Sequence, residues 1–217
     1  MSVSRESIMT IIRRNNGANV DVLANEVDLA PATVRRHLDI LKRDGLVDHV
    51  EVRKRTGRPQ HVFHLTEKGH DSVPKDYGRL LNELVKDIKS IPSHGLAGRA
   101  GDEILRDSLT RIGKKRAEEF SPGRNPIDAV RAAFEDGGYD PIIEAHEGGL
   151  KIRITNCPYR RATADDIIVC TVDQSMVQSL LGDGVEHQVS IAERANECVY
   201  LLSSDGLKKI DTVAVGS

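Results

Sequence analysis

Residues 30–47, APATVRRHLDILKRDGLV, restrict the fold of this 217-residue chain more than any other stretch. Pro31 suits the first turn of a helix, because the N–H it lacks would have had no partner there. Val34, Leu38 and Leu41 recur at helical spacing and form one apolar stripe. Gly45 is placed to end the helix in a left-handed conformation. At roughly 100° per residue, Arg36 and Arg43 point almost directly away from the stripe. Ala32, Thr33 and Asp39 flank them, and Arg35, His37 and Lys42 lie at the sides. Such a helix packs on one side and leaves a basic, small-residue face open.

Two shorter helical patterns precede it. SRESIMTIIRR carries Ile8, Ile11 and Ile12, with Ser4 as N-cap and Asn15-Asn16-Gly17 as stop. NVDVLANEVDL places Val20, Leu23 and Val27 on one face, and the chain breaks at Asp28-Leu29-Ala30. A short helix, a tight turn and a third helix with a basic outer face form a helix-turn-helix arrangement. Small residues at the start of the third helix allow close approach to base edges, and Arg36 is long enough to reach guanine O6 and N7. A plain helical hairpin with a solvated face would share this pattern, but the segment after Gly45 argues for DNA. LVDHVEVRKRTGRPQHVFHL reads as strands Val47–Arg53 and His61–Leu65, turning at Gly57 and Pro59. Arg53, Lys54, Arg55 and Arg58 cluster at the tip, as in a wing that contacts phosphates or the minor groove. The expected DNA-contacting set is therefore Ala32, Thr33, Arg35, Arg36, His37 and Arg43 on the helix, with those four cations on the wing. Residues 5–70 resemble the winged helix-turn-helix regulators of bacteria, in the branch with LAxATVRRHLxxLxxxGLV, a GRP-containing wing and LTxxG.

Charge supports this only weakly. The net charge is −2, with +3 in residues 1–70 and five of the eight histidines there. Trp is absent, which removes the best stacking residue for single-stranded nucleic acid. The N-terminus is neither a signal peptide nor a membrane span, and no apolar run is long enough to cross a bilayer, so a cytoplasmic protein is expected. No nucleophile–base constellation stands out. Neither GLAGRAG nor GDGVEH follows a strand as a nucleotide-binding loop must, so an enzyme is not expected.

From Tyr77, YGRLLNELVKDIKSI carries Leu80, Leu81, Leu84, Val85 and Ile88 at helical steps, and GDEILRDSLTRIGKKRAEEF resumes with Ile104, Leu105, Leu109 and Ile112. These helices read either as a linker or as a dimer seam, and the seam is favoured because one winged helix covers only one half-site. A further helix, NPIDAVRAAFEDGG, has Asn125 as N-cap and Pro126 at its first position. YDPIIEAHEGGLKIRITNCP then alternates as two strands about Glu147-Gly148-Gly149. TVDQSMVQSLLG is helical, with Val172, Met176 and Leu180 on one face, while VEHQVSIA and ECVYLLS read as strands. The expected fold is α+β: a winged helix-turn-helix domain (1–70), a helical linker or dimerisation region (71–121) and an α+β domain (122–217).

All three cysteines, Cys157, Cys170 and Cys198, lie in that last domain. Cys170 falls at a helix N-terminus, where thiolate is favoured. The odd count in a reducing compartment argues against structural disulfides. Core filling, a thiol redox switch and metal ligation all remain open on spacing alone, since no C-x-x-C pair is present. The pattern NCPY…VC…MVQSLLG…VE…C.Y is similar to the C-terminal domain of the Suf-operon repressors, regulators of iron–sulfur cluster assembly genes, and to the broader 4-vinyl-reductase-type small-ligand domain. The resemblance implies a four-iron, four-sulfur cluster held by Cys157, Cys170 and Cys198, in a homodimeric repressor of an inverted-repeat operator in double-stranded DNA. No fourth thiol exists here. His187 is the nearest candidate for the fourth ligand, because imidazole ligates iron in other clusters; Glu186, Ser190, water, a small thiol and a partner residue are alternatives. A regulator sensing a small molecule or an oxidant through metal-free thiols is the competing reading.

Overall fold

The computed structural model describes residues 3–53, 59–72, 75–193 and 195–207. They fall into two compact units, Met1–Val73 and Pro74–Ser217.

In the first unit, α1 (Val3–Arg14), α2 (Val20–Val27) and α3 (Pro31–Arg43) precede a hairpin of β1 (Val47–Val52) and β2 (Gln60–Leu65), then one turn of helix, α4 (Glu67–His70). The helix α1 begins at Val3, so Ser4 lies within it and does not cap it. Asn19 caps α2 by accepting from the Asp21 and Val22 N–H groups. Asp28 then turns the chain in the left-handed region (φ 51°, ψ 49°), which a short polar side chain tolerates. Ile8, Ile12, Leu23, Val34, Leu38 and Leu41 bury their side chains in one core, so each helix presents the face that its spacing predicts. Ala18 exchanges backbone hydrogen bonds with Phe63 (3.0 and 2.9 Å) and ties the α1–α2 loop to the hairpin. Thr66 accepts from the Gly69 N–H (3.1 Å) and donates to the Gly45 carbonyl (2.7 Å). A Cβ on Gly69 would lie 2.0 Å from the Leu46 carbonyl oxygen. The LTEKG segment thus closes the domain for reasons of capping and close approach.

The second unit comprises α5 (Tyr77–Ser90), α6 (Gly101–Phe120), α7 (Pro126–Asp136), β3 (Pro141–His146), β4 (Gly149–Ile154), α8 (Arg160–Asp165), α9 (Thr171–Leu181), β5 (Val185–Val189) and β6 (Cys198–Leu202). The four strands form one antiparallel sheet in the order β3-β4-β6-β5. Glu147 and Gly148, both at positive φ, make the tight β3–β4 turn. Residues 71–121 do not stand apart as a separate region: Leu80 of α5 and Leu109, Ile112 and Ala117 of α6 share a core with α7, α9 and the sheet. Gly113 makes this possible, because a Cβ there would lie 2.0 Å from Ser175 Oγ and 2.3 Å from the Val172 carbonyl on α9. Arg116 is buried beside α5 and bonds Glu83 (2.6 Å). Among the described residues, no helix is long and apolar enough to cross a membrane.

Candidate metal centre and nucleic-acid interface

On α3, Ala32, Thr33, Arg35, Arg36 and Arg43 are exposed and His37 is half-buried, opposite the buried stripe of Val34, Leu38 and Leu41. Ala30 caps the helix without a side-chain bond, and its carbonyl accepts from the Thr33 and Val34 N–H groups (2.9 and 3.1 Å). Arg43 is engaged by its neighbour Asp44 (3.1 Å), and Arg53 is exposed at the end of β1. Lys54, Arg55 and Arg58 lie outside the described residues. A groove of about 520 Å³ runs beside α3, lined by Asp21, Arg35, Asp39, His61 and Phe63 among others. Its two carboxylates repel phosphate, so within it Arg35 and His61 are the groups suited to a nucleic-acid backbone.

The second site grows from the end of the sheet. β4 and β6 pair so that Cys198, the first residue of β6, sits opposite Ile154, the last of β4. The chain then runs through Thr155 and Asn156 to Cys157 at the same end. Asn156 fixes this run: its amide donates to the Gly138 carbonyl (2.8 Å) and its carbonyl accepts from the Asp140 N–H (2.6 Å). Pro158 prevents the ladder from continuing. After α8, a single 3₁₀ turn, Ile167–Cys170, delivers Cys170 to the N-cap of α9. His187 pairs with Tyr200 across β5 and β6 and stacks on its ring (4.6 Å between centroids).

Cys157, Cys170, Cys198 and His187 thereby line one cavity, together with Asp173 and Ser190. Sequence reasoning did not find Asp173, although a signal was present: it follows Cys170 by three residues at the start of a helix, which places both on one face. Nor did it find Tyr139, whose hydroxyl donates to Asp173 Oδ2 (2.7 Å). Two of the lining residues carry a buried atom with no hydrogen-bond partner: Asp173 Oδ1 and His187 Nε2. Backbone N–H groups point at two of the sulfurs, Ile191 at Cys198 (3.3 Å) and Tyr159 at Cys157.

The electrostatics correct one expectation. Burial, reinforced by Asp173, pushes the Cys170 thiol up to about 12, so the helix end does not make it a thiolate. Burial raises Cys157 and Cys198 as well, and pushes Asp173 up to about 6. Without a cation the site holds protonated sulfur. A bound metal ion reverses this, because coordination deprotonates a thiol outright.

Among the described residues, no three His, Cys, Asp or Glu side chains converge closely enough to hold a single metal ion. A cubane makes a different demand, since each of its irons takes its own ligand and the donors stand apart. The donor set fits such a centre: three sulfurs around one cavity, with buried, unpartnered oxygen and nitrogen atoms beside them. The free space, about 10 Å³, is roughly that of one water, so these side chains would have to separate around a cluster.

Residues 1–48 match the family model for winged helix-turn-helix DNA-binding. Comparison with curated proteins and with solved structures returned no match. The first unit is accordingly a DNA-binding domain, and the chain is a transcription regulator.

Proposed function

We propose that this regulator is a homodimeric repressor whose DNA affinity depends on an iron–sulfur cluster, of the four-iron type, held by Cys157, Cys170 and Cys198. Its operator would be an inverted repeat and its targets cluster-assembly genes. The observation that carries the reading is the convergence of all three cysteines on one cavity, although 12 and 27 residues separate them along the chain. The likeness of their layout to the Suf-operon repressors adds the cluster type and the gene class.

When bound, the cluster supplies cross-links between the end of β4, the start of α9 and the start of β6. The protein's own groups prepare that site. Asn156 positions Cys157, the N-cap position aims Cys170, and the Ile191 N–H steadies the Cys198 sulfur, a contact that also tunes cluster potential. At the DNA, Arg36 reads a base while Arg53 holds phosphates. A second copy would supply the other half-site. Leu81, Val85 and Ile88 are 61%, 42% and 40% exposed on α5 at i, i+4 and i+7, an apolar seam suited to a symmetric partner.

The protonated thiols weigh against the metal-free alternative. An oxidant attacks thiolate, which these three sulfurs hardly populate, whereas a metal generates thiolate as it binds. The test selects duplexes from a random pool with anaerobically loaded protein, then compares affinity before and after cluster removal. A coupling of about 1–3 kcal/mol predicts a change of roughly 5–150-fold. Equal affinities would remove the sensing role.

A further inference from the structure

We infer that Asp173 is the fourth protein donor of this site, its carboxylate standing where the chain lacks a fourth thiol. This rests on the proposed cluster and assigns the ligand that the three cysteines leave open.

Asp173 reaches the cavity from the first turn of α9, three residues beyond Cys170, so one helix presents both donors on one face. Its two oxygens are not equivalent. Oδ2 accepts from the Tyr139 hydroxyl at 2.7 Å, which fixes the plane of the carboxylate. Oδ1 is buried and has no partner, on a residue that lines the cavity. A buried carboxylate oxygen left unsatisfied is costly, and the cost is relieved by a cation placed beside it. One oxygen steadied by an outer hydrogen bond and the other left free is how ligating carboxylates are held.

The other candidates fit less well. His187 brings no negative charge to the site, and its ring is held by stacking on Tyr200 (4.6 Å between centroids) and by the Gln174 amide nitrogen 3.1 Å from Nδ1. Ser190 Oγ already accepts from the Ala192 N–H (3.1 Å) and lies beside the Cys198 sulfur (3.9 Å). Glu186 is exposed and does not line the cavity.

The assignment has a regulatory consequence. Iron prefers thiolate to carboxylate in such clusters, so the iron on Asp173 is the one most readily surrendered. A site of three sulfurs and one oxygen is built to lose one iron first.

The test reconstitutes wild type, Asp173→Asn, Asp173→Cys and His187→Asn anaerobically with ferrous iron and sulfide, and follows visible absorption and iron release to a ferrous chelator. Asp173→Asn keeps an acceptor for Tyr139 but loses the anionic donor, and should release iron at least about tenfold faster than wild type. Asp173→Cys should release it more slowly than wild type, because it restores a thiolate at that position. His187→Asn should follow wild type. Wild-type release from Asp173→Asn, acceleration in His187→Asn equal to or greater than that in Asp173→Asn, or accelerated release from Asp173→Cys would each overturn the assignment. A wild-type chain that assembles no cluster at all would instead refute the proposed cluster itself.

Discussion

In the proposed reading, Arg36 is the residue on which sequence readout would turn. It projects from the exposed face of α3 one position from Arg35, which lines the adjoining groove, and two from the buried Val34. Replacing it with Ala removes a candidate bidentate contact to guanine, so discrimination at one base position should fall by about 1–3 kcal/mol while non-specific binding changes little. Competition between the selected duplex and its single-base variants measures this. Equal losses on specific and random DNA would assign Arg36 to the backbone. At this same scale the sequence is legible where a residue's role follows from its type. Pro31, Asn125 and the Gly148 turn follow from local chemistry, and the apolar stripe of α3 from spacing. Ser4 does not act as the expected cap because α1 starts two residues earlier than a cap there would allow. Cys170 stands at the expected helix end but in the opposite charge state. The helix-end effect is about 0.3–1 kcal/mol at an exposed surface, and here burial outweighs it.

Between elements, α5 and α6 are joined by a pair of ion contacts as well as by apolar packing. Arg111 donates to both oxygens of Asp87 (2.9 and 2.7 Å), which holds that carboxyl below its usual value against the opposing effect of burial. A carboxyl with a depressed folded pKa contributes stability above its unfolded value of about 3.9 and loses it as pH falls through the folded pKa. Denaturant titrations of wild type and Asp87→Asn should therefore differ most near neutrality, with the gap closing below about pH 4. A gap independent of pH would show that Asp87 acts through packing alone. The outer face of α5 carries a second prediction. Leu81 is largely exposed, so Leu81→Asp should leave the melting temperature nearly unchanged while converting a dimer to a monomer in sedimentation. A variant that sediments as wild type would move the seam elsewhere. From the sequence these two helices could be taken as a linker because their periodicity does not reveal which neighbour each face meets. The decisive contact is Gly113 against Val172 and Ser175, residues whose approach only the folded chain displays.

For the molecule as a whole, the two units differ in how far the sequence exposes them. The first is built from local signals, with caps, turns and stripes at short range, and its elements follow the sequence pattern nearly residue by residue. The sensor candidate is assembled from long-range contacts. Strand pairing brings Cys198 opposite Ile154, the Asn156 latch carries Cys157 to the same end, and a 3₁₀ turn that the sequence pattern does not announce returns Cys170 to them. Spacing alone leaves core filler, redox switch and ligand open; shared lining of one cavity shows that the three sulfurs lie together. Tyr139 and Asp173 escape a reading of the sequence because they are 34 residues apart and meet only through that fold. The most direct measurement is iron and acid-labile sulfide in protein purified without oxygen, for wild type and for each of the Cys157, Cys170 and Cys198→Ser variants. A cluster-dependent regulator predicts a coloured wild type with about four irons and four sulfides per chain, and their loss or destabilisation in every variant. A colourless wild type without iron or sulfide would contradict it.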